Sequence, residues 1–81
     1  MRDREIRALL VDRLRDHVLT RRELVRVSVE RGEVTLSGEV PSSAARRAAD
    51  DEAWNTPGVV NVHNHVRIMI VPVRGEGPRA A

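Results

Sequence analysis

Few side chains in this 81-residue chain have types and spacing suited to chemistry. His63 and His65 stand two apart in a largely apolar run, so on a strand both imidazoles point to one face. Paired imidazoles can bind a transition metal, but a protein site normally has three or four ligands. The nearest side chains, Asn61 and Asn64, are poor ligands, and Asn64 belongs to the opposite face. His63 and His65 are therefore the only metal candidates, and they read as polar residues on the solvent side of a strand. Neither a metal nor a cofactor is expected. His17 falls near the end of a first helix, where a cation meets the negative end of the dipole.

Arg46 and Arg47 fall in the first turn of a second helix, and Asp50, Asp51 and Glu52 follow in its later half. That order opposes the helix dipole, which favours acids first and cations last. Two readings fit. Arg46 with Asp50 and Arg47 with Asp51 are i, i+4 pairs, worth about 0.2–0.5 kcal/mol each. Alternatively, guanidinium groups beside free backbone N–H groups can hold a phosphate or carboxylate. The solvated ion pairs are the preferred reading. Trp54 is the only aromatic residue of the chain. At the end of the same helix it is expected to close the edge of the core, the other reading being an indole anchor at a membrane interface. Arg46, Arg47 and Trp54 are the candidate ligand-binding residues.

Catalysis finds no support. The chain has no cysteine and no tyrosine. Its carboxylates are scattered or paired with arginine, and neither Ser37 nor Ser42 has a histidine evidently placed as its base. A non-enzymatic domain is expected. Charge excludes little else. All fourteen cations are arginine, twelve acids are interspersed with them, and the net charge is +2. That is not the concentrated basic footprint of a nucleic-acid binder. The glycines never take the G-x-x-G spacing of a KH clamp, and aromatic residues for base stacking are missing. No nucleic-acid partner is expected.

These residues must be held by a small set of elements. Arg4 to about Leu19 is predicted to be an amphipathic helix, with Ile6, Leu9, Leu10, Leu14 and Val18 as its apolar stripe and Asp3 as its N-cap. Leu24 to Glu30 alternates, and Val34, Leu36 and Val40 continue the alternation beyond Arg31-Gly32. A two-residue turn there pairs Val29 with Val34, Val27 with Leu36 and Val25 with Gly38, so every apolar side chain falls on one face. Gly38, the gap in that face, is read as the place where a helix packs closely on the sheet. Ser42 or Ser43 caps a second helix running to about Asn55, whose stripe is Ala45, Ala48, Ala49 and Ala53. Thr56-Pro57-Gly58 ends it in a turn. Val60 to Val71 is the third strand, and a disordered tail follows. The expected fold class is α+β: an αββαβ chain with a three-stranded sheet and two helices packed on one face. Residues 1–72 form one domain and 73–81 the tail.

Within this frame, Val34-Thr35-Leu36-Ser37-Gly38-Glu39-Val40, preceded by Gly32, resembles the G-x-V-T-L-S-G-x-V signature of the BON domain family (bacterial OsmY and nodulation). Ala53-Trp54, then Pro57-Gly58-Val59 and Val62, Asn64 and Val66, resembles the family's closing motif, with Val66 where Leu or Ile is more usual. Asp3, Ile6 and Leu14 resemble its opening D-x-x-I…L. The resemblance covers roughly residues 3 to 70. It implies a non-catalytic module that binds phospholipid membranes or envelope components, with osmotic stress as the setting. The implied partner is an anionic membrane surface or another protein. Two alternatives stand beside it: a homo-oligomer pairing through the long third strand, if that strand lies at a sheet edge, and small-ion (potassium) sensing. The charged N-terminus, Met1 to Glu5, is no signal peptide. As written the chain is expected in the cytoplasm, or in the periplasm or envelope if it is an excerpt.

Overall fold

The structure, a computed structural model, describes residues 2–69. Ile70 and Val71, expected in the third strand, and the expected tail from residue 73 lie outside the described residues. The element order is α1 (Asp3–Asp16), β1 (Val25–Glu30), β2 (Glu33–Val40), α2 (Ser43–Asn55), β3 (Asn61–Asn64) and β4 (Arg67–Ile68). Both helices pack on one face of a single mixed sheet, as expected.

The hairpin carries the expected register: Val29 opposite Val34, Val27 opposite Leu36, Val25 opposite Gly38. Arg31 (φ 55°) and Gly32 (φ 79°) are both left-handed, the type I′ geometry whose twist matches the flanking strands. The carboxylate of Asp3 holds this turn. It accepts the Arg31 N–H at 2.8 Å and the Gly32 N–H at 3.0 Å. Asp3 is therefore not the N-cap of α1. Arg2 takes that position, and Glu5 reaches back to accept its N–H at 2.9 Å. The first residue of the helix is free to tie α1 to the hairpin because the third already satisfies the end of the helix.

Helix α1 stops at Asp16, not near Leu19. His17 turns extended, and Thr20 folds back so that its hydroxyl donates to the Leu14 carbonyl at 2.7 Å. A side chain thus takes a carbonyl that the next helical turn would have used. The buried stripe is Ile6, Leu10 and Leu14, a strict i, i+4, i+8 series; Leu9 and Val18 point away from the core. Helix α2 matches its reading more closely. Ser42 is the N-cap, accepting the Ala45 N–H at 3.1 Å, and Ala45, Ala48, Ala49 and Ala53 are buried. Small side chains let this helix lie near the sheet.

Strand order is β1-β2-β3, with β1 antiparallel and β3 parallel to the central β2. Helix α2 is the crossover that a parallel pair requires. The third strand is not continuous. It is broken at His65-Val66, and β4 resumes alongside β2. Leu36 pairs with Asn64 and Glu39 with Arg67, so the register does not slip across the break. Asn64 causes it: its side-chain oxygen accepts the Val66 N–H at 3.0 Å, a local bond that competes with regular strand geometry. Gly38 lies opposite. Its φ is +125°, and a Cβ there would stand 2.5 Å from the Leu24 carbonyl oxygen. The close approach at Gly38 is therefore the chain entering β1, not a helix.

Candidate functional site

The expected ligand-binding residues do not come together. Arg46 is engaged in the fold. Its Nε donates to the Val66 carbonyl at 2.9 Å and its Nη2 to that of Asn64 at 3.5 Å, while Asn64 Nδ2 donates back to the Arg46 carbonyl at 3.4 Å. The backbone N–H groups of His65 and Met69 bond to β2. By alternation, the even-numbered residues then turn their backbone groups outward along the open edge. Arg46 and the side chains of Asn61 and Asn64 occupy several of those groups, since Asn61 also accepts the Val62 N–H at 2.9 Å. Arg46 is thus a cap on an edge strand.

Neither preferred ion pair on α2 forms. Among the described residues the arginine–carboxylate pair is Arg13 with Glu52 at 3.4 Å, and His63 Nε2 lies 2.9 Å from Glu33 Oε1. Arg47 is exposed, but Asp50 and Asp51 lie between it and Trp54, which unsuits that stretch to an anion. Trp54 is not in the core; it is 49% exposed. The inward stripe ends on Ala53, and the next residue is turned about 100° around a helix of 3.6 residues per turn. A helix seated on alanines leaves no room for an indole beneath it.

His63 and His65 share the open face of the sheet with Glu33, Thr35 and Arg67, on the side away from both helices. Nε2 of His63 lies within hydrogen-bonding distance of Glu33 Oε1, and both side chains are well exposed. Among the described residues no group of three His, Asp or Glu side chains is placed to hold a metal ion.

The informative surface is elsewhere, at the end of the molecule where α1 hands over to β1. The segment His17 to Leu24 is tightly bonded. The Thr20 and Arg21 N–H groups donate to the His17 carbonyl at 3.1 and 2.8 Å, the Leu19 N–H to His17 Nδ1 at 3.0 Å, and the Glu23 N–H to the Thr20 carbonyl at 3.0 Å. Its one buried side chain is polar: Thr20, 2% exposed, under the helix end. Its apolar side chains point out. Leu24 is 79% exposed, Val18 69% and Leu19 42%. This loop is inside out, and a buried polar beside exposed apolar residues is the departure from ordinary burial that carries meaning. Ile68, which ends β4, and Met69 just after it are also exposed, at the same end of the sheet. Arg15, Arg21, Arg22, Arg26 and Arg67 surround the patch, and none makes an ion pair among the described residues. Asp16, Glu23 and Glu39 are the acids nearby in the sequence, leaving cations in excess. The sequence reading missed this site because the apolar period of α1 runs on through Val18 and that of β1 starts at Leu24. The signal was the placing of Val18, Leu19 and Leu24 beside Arg21 and Arg22 in the stretch that joins the two elements.

No helix among the described residues is long and apolar enough to cross a membrane. What remains is a two-layer α+β domain with a thin aliphatic core, capped strand edges and one apolar, arginine-rimmed end. The family model described as "BON domain" matches residues 2–69, all of the described residues. The chain therefore belongs to the BON domain family, as its motifs indicate, a family of non-catalytic modules associated with phospholipid and the cell envelope. No individual curated protein matches the sequence.

Proposed function

We propose that this domain is a non-catalytic module that docks peripherally on anionic phospholipid, end-on, through the inside-out loop. The observation that carries the reading is the outward set of Val18, Leu19 and Leu24 beside Arg21 and Arg22, held by a backbone already bonded to itself. A preordered loop loses little entropy on docking. Burying one large aliphatic side chain contributes about 1.5–3 kcal/mol, and each arginine near an anionic leaflet about 1 kcal/mol. Apolar insertion is then the larger part, and the arginines select charged lipid and make binding sensitive to salt.

Co-sedimentation with vesicles containing phosphatidylglycerol tests this. Wild-type protein is expected to pellet at low ionic strength, and Leu24→Asp or the double change Arg21→Ala with Arg22→Ala to stay in the supernatant. Equal pelleting of all three, or none by the wild type, would defeat the reading. Pairing with a second copy through β3 and β4 has less support. That strand does lie at a sheet edge, but Arg46, Asn61 and Asn64 occupy outward groups that a partner strand would use.

A further inference from the structure

A groove of about 430 Å³ runs between α1 and the edge strand β1, opening beside the loop just described. We infer that it seats one acyl chain of an anionic phospholipid, its phosphate held by Arg15 at the groove's mouth. This inference rests on the lipid reading above and adds a specific pocket to it. The volume falls within the roughly 300–1,000 Å³ of small-molecule sites. The floor is aliphatic, formed by Val11, Leu14, Val25 and Val27, and Arg7, Arg15 and Arg26 stand around it against the single acid Glu23.

An apolar groove along an edge strand invites two occupants, an extended peptide or a hydrocarbon chain. The edge itself decides between them. Arg7 Nε already donates to the Val27 carbonyl at 3.0 Å, so an acceptor that an added strand would use is taken. An acyl chain needs no backbone hydrogen bonds. It requires the apolar floor, and its head requires the cations. Leu24 lines the groove and is also the most exposed apolar side chain of the docking loop. A chain leaving the bilayer at Leu24 therefore meets the groove directly.

The probe is dihexanoyl phosphatidylglycerol, kept below its micelle concentration and titrated into isotopically labelled protein by NMR, with the phosphatidylcholine analogue as the uncharged control. Saturable shifts are expected at Arg7, Val11, Thr20, Leu24 and Val25, and weaker binding of the control. Val11→Trp, which fills the groove, and Arg15→Glu, which reverses the charge at its mouth, are each expected to weaken monomer binding by about tenfold or more. Val11→Trp is expected to weaken vesicle pelleting less than Leu24→Asp does, because the loop remains intact. Arg15→Glu serves if Val11→Trp fails to fold. Shifts clustered on the open sheet face or on α2, an affinity unchanged by both variants, or shifts at β1 from an apolar peptide but not from the lipid would overturn the inference. Vesicle binding without monomer binding removes the groove alone; loss of both removes the lipid reading as well.

Discussion

The two helix–strand halves of this domain use the same devices and differ in what they bury. In each, an arginine near the start of the helix sends Nε to the outward carbonyl of the edge strand: Arg7 to Val27 at 3.0 Å, and Arg46 to Val66 at 2.9 Å. In each, a buried threonine after the helix donates its hydroxyl to a carbonyl near the helix end: Thr20 to Leu14 and Thr56 to Glu52, both at 2.7 Å. The inward stripes differ. Helix α1 buries Ile6, Leu10 and Leu14, while α2 buries four alanines. Larger side chains set a wider spacing between helix and sheet. The groove with an aliphatic floor therefore lies on the α1 side, whereas the depression beside α2 is lined by Arg46, Arg47, Asp50 and Asn64. The connections differ too. Thr56 to Val60 is a short turn closed by a 3.3 Å bond, and His17 to Leu24 is the longer inside-out loop. The two halves share their caps and differ in side-chain size and loop length.

The comparison breaks hardest in the core. Leu10→Ala is expected to cost about 2–5 kcal/mol in urea unfolding, because no neighbour can fill the space left by a fully buried leucine. Ala49→Leu, the opposite change on the other helix, is expected to cost about 1–3 kcal/mol by overpacking. An Ala49→Leu variant as stable as the parent would mean that α2 does not lie close to the sheet. The edge caps give smaller effects. Arg46→Ala and Arg7→Ala each uncover a backbone carbonyl to water, at about 0.5–1.5 kcal/mol. Arg46→Ala is expected to be the more harmful, since Arg46 serves two carbonyls. It is also expected to let the β3–β4 edge associate, which sedimentation velocity detects as a concentration-dependent dimer. A monomeric Arg46→Ala protein of parental stability would deny the capping role.

Where local pattern decides, the sequence was readable. The alternation of Val25 to Val40 around Arg31-Gly32 leaves one register that buries every aliphatic side chain, and that register is the one found. Ser42 and the alanine stripe likewise place α2. Where a distant partner decides, it was not. Arg46 reads as half of a helical ion pair until the strand order sets an edge carbonyl beside it. Asp3 reads as an N-cap until the hairpin turn arrives to claim its carboxylate. Trp54 reads as core because it is the only aromatic, yet one residue of helical rotation turns it outward. The docking loop was hidden for a related reason. Val18 and Leu24 fit the periods of their neighbouring elements, and only the bond from Thr20 to Leu14 turns the loop inside out.

Trp54 now provides the most direct test, because it lies at the end of α2, beside the turn into β3, while the docking loop joins α1 to β1 at the opposite end of the sheet. Its emission should stay unshifted when anionic vesicles are added, whereas a Leu24→Trp probe in a Trp54→Phe background should shift to the blue and be quenched by brominated acyl chains. A blue shift of Trp54 itself, with the probe at position 24 silent, would contradict end-on docking and return the site to α2.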